Sequence, residues 1–479
     1  RKMKSIQYII LSFCLILCSC SGILDKEPIG ILDAGSFFKT SNDAIQAVNA
    51  AYEPLMFNSS NNNFYWGFGE LTSDEAVTGG DGSRAGLTEL DFFTYTSRTS
   101  EFNDFWKLQY KGINQCNTVI DKVPAIDMDA ALKDRIIGEA KFLRAFYYFQ
   151  LTQVFGDVQL LTKLTPPSEL KTAKSPKSEI YKVILADCNA AALSLPAAYD
   201  AGQAGRATRG AALALAAKTH LYAKEYDQVL IYVNKVKELG IYSLMPDYED
   251  NFRENTQNNM ESVWEIQHTN LELGVGNSLN QWWASKKVPG GYGFAEVTPS
   301  YVSEFEVGDP RHKFTVASNN EDYFGYVYKN SYSSTKFSPR KYLQIDSTAT
   351  QKADGDINVT PIRYAEVLLW EAEALAELGR AAEAQAPLEL VRARARAQAA
   401  DPLTALPPVT TTNQADMIQA VRHERSVELG FEMHRFFDLV RWGIAKDKLP
   451  DFQVGKHEVF PLPQVELDLN PQLVQNANY

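Results

Sequence analysis

Histidine and cysteine are scarce in this chain, and so is positive charge. The six histidines are scattered among 479 residues and offer no metal-ligand spacing. His423-Glu424 opens like a zinc-protease helix, but Val427 stands where the second histidine is needed. Asp354-Gly355-Asp356-Ile357-Asn358 starts like a calcium loop. Val359 then replaces the required glycine and Ala365 the closing glutamate, so the stretch reads as a plain turn. Gly79-Gly80-Asp81-Gly82-Ser83-Arg84 lacks the Gly-Lys-Ser/Thr ending of a phosphate loop, and no Gly-x-Ser-x-Gly elbow occurs. No metal, no cofactor and no catalytic residue is therefore expected. With 47 basic against 59 acidic side chains the formal charge is −12. Such a surface repels nucleic-acid phosphates and anionic lipid headgroups alike. Five cysteines are too few, and too unevenly placed, for a disulfide framework.

The one sustained apolar run is at the start. Lys2 and Lys4 precede Ile6 to Leu17, and Leu17-Cys18-Ser19-Cys20 follows. The run is too short to cross ~30 Å of hydrocarbon. A basic start, a short apolar core and a small residue before cysteine read as a lipoprotein signal over residues 1–19. The mature chain then begins at Cys20, whose thiol carries the lipid. Several acyl chains on one residue make a firm anchor. Ser21 stands where an aspartate would favour inner-membrane retention, so a surface-exposed, lipid-anchored position at the outer membrane is expected. Cys14 and Cys18 leave with the signal. Cys116 and Cys188 remain, able to form one bridge, with two buried thiols as the default.

What is abundant is apolar and aromatic residues at helical spacing. A helical scaffold is predicted over about 42–57, 102–240 and 361–443, in one domain running from 20 to 479. Ala44, Val48, Ala51 and Leu55 share one face, as do Phe102, Phe105, Trp106 and Ile113. Arg206 to Leu239 reads as an alanine-rich helical hairpin, and Tyr364 to Ala397 repeats the layout around Leu378-Gly379-Arg380. Both resemble tetratricopeptide repeats. Between these parts, about 58–101 and 245–360 lose helical periodicity and gain Gly, Asn, Ser, Tyr and Trp. They read as loop-rich insertions with short β segments such as Ser262 to Ile266. Residues 460–479 form an extended, proline-containing tail. The fold class is thus mainly α, a tetratricopeptide-like hairpin scaffold carrying large irregular insertions.

Several motifs carry a resemblance. Arg425-Ser-Val-Glu428-Leu429-Gly-Phe-Glu432-Met-His-Arg435-Phe-Phe-Asp438-Leu439-Val-Arg441-Trp442-Gly443 resembles the signature helix pair of SusD/RagB lipoproteins. Gly138 to Phe149 with Phe155-Gly156-Asp157-Val158, Ile362 to Glu366, Pro461-Leu462-Pro463-Gln464 with the end of the tail, and Cys20 to Asp25 with Pro28 are similar to the same family. The resemblance spans nearly the whole mature chain. It implies a non-enzymatic outer-membrane lipoprotein of the Bacteroidetes type. Its ligand would be a glycan, less often a peptide. Its partner would be a SusC-like TonB-dependent β-barrel transporter, over which it sits. The insertions carry no recognisable motif.

Read without the family, Arg425 and Glu428, Glu432 and Arg435, and Asp438 and Arg441 are each three apart. That spacing suits ion pairs along a helix, worth about 0.2–0.5 kcal/mol each when exposed. Binding chemistry is expected in the insertions instead. Sugar rings stack an apolar face on aromatic rings, and their hydroxyls need amides or charged groups. Phe64, Tyr65 and Trp66 after three asparagines form one candidate. Asn280, Trp282 and Trp283, with Tyr292 on a glycine-rich stretch, form another, because adjacent tryptophans in a polar, loop-like context are hard to bury together. Arg84, Arg98 and Asp81 are further candidates. A glycosidase using two carboxylates such as Asp74 and Glu75 and a non-catalytic repeat adaptor are the competing readings.

Overall fold

Alanine and aromatic residues at helical spacing build the scaffold, seen in a computed structural model that describes residues 37–58, 60–271, 274–344 and 354–479. The signal segment and Cys20 lie outside the described residues. In chain order the main helices are α1 (Ser41–Tyr52), α2 (Ser100–Lys122), α3 (Ala130–Phe155), α4 (Lys177–Ser194), α5 (Arg209–Tyr222), α6 (Tyr226–Glu238), α7 (Tyr364–Glu377), α8 (Ala381–Ala397), α9 (Gln414–Leu429) and α10 (Arg435–Trp442). Their ends follow local chemistry. Thr40 and Asp43 form a reciprocal capping box at α1. Asp129 and Thr208 accept the backbone amides of Leu132 and Ala211 at the starts of α3 and α5. α3 stops at Gly156, whose φ of 72° suits only a residue without Cβ.

From α2 to α9 the helices pack on their chain neighbours, α3 on α2 and α4, α5 on α4 and α6, and α7 on α6, α8 and α9. Small residues make this closeness feasible. α5 is buried from Gly210 through Leu221 because its alanines let three helices surround it. At Gly112 on α2 a Cβ would lie 2.2 Å from the Tyr147 ring of α3, so any larger residue would push the two helices apart. Cys116 and Cys188 are both free and buried, and burial pushes both thiols well up.

Among the described residues, the segments between the helices hold eight short strands: β1 (Ala76–Thr78), β2 (Ser262–Ile266), β3 (Ala295–Val297), β4 (Val316–Ala317), β5 (Asp322–Tyr323), β6 (Tyr326–Val327), β7 (Ser338–Pro339) and β8 (Val359–Arg363). They pair antiparallel as β1–β3, β2–β8, β4–β7 and β5–β6. The β1–β3 ladder, Ala76 opposite Val297, fastens the first loop segment to the second. The tail includes a short helix, Gln464–Leu469. It is tied to the end of α3, where Phe460 N–H donates to Val154 and Asn476 Nδ2 to Phe155.

The charged residues of α9 and α10 do not behave as their spacing suggests. Of the expected local pairs only Asp438–Arg441 forms, at 2.7 Å. Arg425 instead reaches Asp438 at 2.8 Å, and Arg435 reaches Asp74 at 2.6 Å. Glu428 meets Arg311 and Arg363 at 3.0 Å each, and Arg394 as well. Glu432 meets Arg363 and Lys341 at 2.7 Å each. These groups are buried, not solvated, because β8, α8 and the second loop segment close over α9. Burial alone would raise the Glu428 carboxyl. Arg394, Arg363 and Arg311 outweigh it and hold the group well below the usual carboxylate range.

Removing one member of such a lattice leaves charge buried and unpaired. Arg363→Ala is expected to lower unfolding stability by about 3–5 kcal/mol in urea titration, with Arg363→Lys recovering only part. A loss below about 1 kcal/mol would show that the lattice does not carry the fold. A second outcome concerns pH. His423 sits between Glu304 and Glu306, at 3.4 Å from each, and their hydrogen bonds raise the imidazole to about 9. A raised histidine contributes stability that is complete below its unfolded value and lost as pH rises through the folded one. Thermal melts should therefore fall between about pH 6.5 and 9, by about 1–2 kcal/mol after solvent screening. His423→Gln should flatten that limb; an unchanged limb would assign it to other groups.

Candidate ligand-binding face

The first loop segment enters through Asn61-Asn62-Asn63 and then turns inward. Phe64 and Trp66 are fully buried. Tyr65 points the other way and stacks between Phe105 of α2 and Phe437 of α10, at 5.8 and 5.4 Å. From the second segment, Trp282 and Trp283 lie on a short helix, Leu279–Trp283, and are 3% and 0% exposed. The expectation that adjacent tryptophans resist joint burial is thus corrected. A helix sends successive side chains about 100° apart, so the two rings meet different neighbours. Trp282 stacks on Phe64 at 5.2 Å, while Trp283 meets Phe431 and Tyr342 at 5.7 and 6.0 Å. Trp66 touches both tryptophans. Asn280 is buried too, because its Oδ1 accepts the Gln344 amide at 2.9 Å. Phe64, Trp66, Asn280, Trp282 and Trp283 therefore form a base under the surface, not an open platform.

Above that base Arg84 is half-buried, while Asp81, Lys286 and Tyr292 nearby are exposed. Arg84 lies over the Phe64 ring at 4.4 Å, and its Nη2 donates to Asn62 at 3.2 Å. The Gly79–Gly82 loop lies against the stretch carrying Tyr292. A Cβ on Gly79 would sit 2.3 Å from the Gly293 carbonyl, so the approach needs glycine. Tyr292 is 44% exposed, its ring 5.2 Å from Phe294. Asp81 pairs with Lys286 at 2.9 Å, and hydrogen bonds from Ser83 and Lys286 hold its carboxyl well below the usual range. The structure thus brings Arg84, Asp81 and Tyr292, expected from two separate segments, to one face. Arg98 is exposed, next to Ser97, whose backbone carbonyl accepts the Gln464 amide of the tail. It shares no bond or ring contact with these residues. Lys286 had no signal in the sequence, since nothing local distinguishes it from other surface lysines.

Asp74 and Glu75 do not face each other across an open cleft. Asp74 is held by Arg435. Glu75 is buried against Glu70, and burial pushes it up to about 7. Glu70 and Glu75 accept the amides of Met433 and Phe431, which fixes the turn between α9 and α10. Asp354, Asp356 and Asn358 accept backbone amides from Gly276, Asn270 and His268, as turn residues do. Among the described residues no group of three or more His, Cys, Asp or Glu side chains is placed to hold a metal ion. No helix among them is long and apolar enough to cross a membrane.

The model of the SusD family matches residues 260–458, and a second model, described as starch-binding associating with outer membrane, matches residues 45–221. SusD-like protein P2 of Formosa agariphila is 26% identical across 100% of this chain and 98% of its own length. SusD-like protein P38 of the same organism is 27% identical across the full length of both. A laminarin-binding SusD-like protein of known structure is 29% identical, with a TM-score of 0.80 over 92% of this chain and 100% of its own. Surface glycan-binding protein A of Bacteroides uniformis is 26% identical, with a TM-score of 0.78 over 91% and 100%.

Base and face should separate on mutation. Trp282→Ala opens a buried cavity and is expected to cost about 3–5 kcal/mol. Tyr292→Ala should change stability by no more than about 0.5 kcal/mol. Urea unfolding of both variants checks this, and equal losses would place Tyr292 in the base.

Proposed function

The chain belongs to the SusD family, and from that membership we propose that it is a cell-surface glycan-binding lipoprotein. In this reading it captures oligo- or polysaccharide and passes it to a partner TonB-dependent transporter of the SusC type. It is not an enzyme: the family is one of binding proteins, and the carboxylates weighed as a catalytic pair are spent on an ion pair and on backbone amides. The observation that carries the reading is the exposed Tyr292 ring packed on Phe294, against which the loop leading to Asp81 and Arg84 lies, with Lys286 paired to Asp81. An aromatic face takes the apolar side of a sugar ring, and the charged and amide groups around it suit hydroxyls. Arg98, beside the tail, and Tyr65, stacked between Phe105 and Phe437, lie outside this reading.

Lipidation at Cys20 would hold the protein at the membrane with its body in solution. The outer-membrane association described for the family model over 45–221 supports that address. The laminarin-binding relative makes laminarin the first polysaccharide to try.

Native affinity electrophoresis of the protein without its lipid anchor, in gels cast with laminarin and a panel of other soluble glycans, tests the reading. One glycan should retard the protein, and Tyr292→Ala should weaken that retardation at least about tenfold. Retardation unchanged in Tyr292→Ala would move the site elsewhere. No retardation by any glycan would sink the glycan reading in favour of a peptide ligand. Labelling with radioactive palmitate, lost in Cys20→Ala, tests the anchor separately.

A further inference from the structure

A hollow of about 180 Å³ opens in the second loop segment, apart from the face around Tyr292. Its apolar lining includes Phe252, Phe314 and Ile357, and its rim carries Phe324, Arg340 and Asn255. Phe324 is the informative residue. It sits at the tip of the β5–β6 hairpin with Gly325, and both have positive φ, 54° and 80°. This is the two-residue turn in which Asn-Gly is strongly favoured. A bulky aromatic at positive φ is an outlier, and such strain persists where something else requires the side chain. The ring packs on the edge of the core by one side only and is half-buried, so its other side is left to the hollow. The ring walls the hollow, with the Arg340 guanidinium 5.4 Å from its centre and Tyr323 edge-on at 5.0 Å.

Two polar groups at the rim keep spare donors. Arg340 gives one guanidinium N–H to the Asp322 carbonyl, and its other side-chain donors meet no partner among the described residues. The Asn255 amide is exposed and equally unbonded. Arg253, by contrast, is taken up by Glu249 and Asp250. Glu249 and Glu254 balance Arg253 and Arg340 on the same lining, so the hollow has no net charge to draw an ion. The hollow is smaller than the roughly 300–1,000 Å³ typical of drug-sized ligands, so it suits one ring and not a chain.

We propose that this hollow binds a single neutral sugar ring, the terminal unit of a glycan, at a second site independent of the Tyr292 face. The ring's apolar side lies on Phe324 and Phe314. Vicinal hydroxyls accept from the guanidinium of Arg340, and the Asn255 amide completes the set.

Saturation-transfer NMR with the methyl glycosides of glucose, galactose, mannose and N-acetylglucosamine, and with methyl glucuronide, tests this on the protein without its lipid anchor. At least one neutral glycoside should bind both the parent and Tyr292→Ala. Phe324→Asn is the decisive variant. It places the residue that the turn prefers, so it should melt no lower than the parent, yet bind at least about tenfold more weakly. Asn255→Ala, on the exposed rim, should weaken binding without lowering the melt. No response to any glycoside, full binding by Phe324→Asn, or binding lost only in Tyr292→Ala would each overturn the proposal. Tighter binding of the glucuronide would overturn the neutral assignment. Glycoside binding that persists where no polysaccharide retards the protein would uphold this site while removing the function proposed for the Tyr292 face.

Discussion

The buried ion lattice around Glu428 is the constraint on which the rest of the molecule depends. It draws Glu424 and Glu428 from α9, Arg392 and Arg394 from α8, Arg363 from the end of β8, Glu261 beside β2, and Arg311, Asp309 and Lys341 from the second loop segment. Buried charges cost several kcal/mol each unless every one is paired. The lattice therefore rewards one arrangement of helices and loops and penalises the others, since any displaced member strands an opposite charge. Its net strength against an apolar core of equal volume is modest. What it supplies is register, and the loop segment that carries Tyr292 and Phe324 hangs from that register.

The first loop segment is fixed by a different means. Glu70 and Glu75 accept amides from the turn between α9 and α10, and at Gly69 a Cβ would lie 2.7 Å from the Met433 carbonyl oxygen. Phe431 and Met433 take positive φ in that turn, 60° and 68°. The strain is held by carboxylates on one side and by the Trp283 and Tyr301 rings on the other. The signature motif thus works as a fastening point. It presents backbone amides to one loop and side-chain charges to the other, and the aromatic base closes between them.

This explains which parts were legible in the sequence. Helices with local signals were readable: the alanines of α5, the Gly379 turn and the apolar stripe of α2 need only neighbouring residues to be understood. The motif from Arg425 to Gly443 was readable as a resemblance, but its chemistry was not. Spacing suggested local pairs, whereas Arg363 finds Glu428 across 65 positions and Arg394 finds Glu261 across 133. No periodicity encodes contacts of that range. Trp282 and Trp283 were misjudged for a related reason. A polar stretch concealed a helix of five residues, and burial depended on Phe64 and Phe431, more than 140 residues away on either side. The exposure of Tyr292 was easier to read, because a glycine-rich stretch around an aromatic leaves a compositional trace.

In the proposed function such a surface has both to hold a polymer and to release it. A ring on a flat face, such as Tyr292, gains little per contact, because solvent competes at its edges and the flanking charges already pair with each other. Affinity for a long chain then comes from repeated engagement along the chain, which multiplies weak contacts without deepening any one of them. A hollow too small for a chain works differently, since it can accept only a ring that ends a chain or stands free. Strain at Phe324 is affordable in a hairpin that projects from the body, where the lattice and the aromatic base do not depend on it. It would be ruinous at Phe64, where the same ring supports both tryptophan contacts. Strain at Phe431 and Met433 is of another kind, because packed rings and buried carboxylates hold that turn in place.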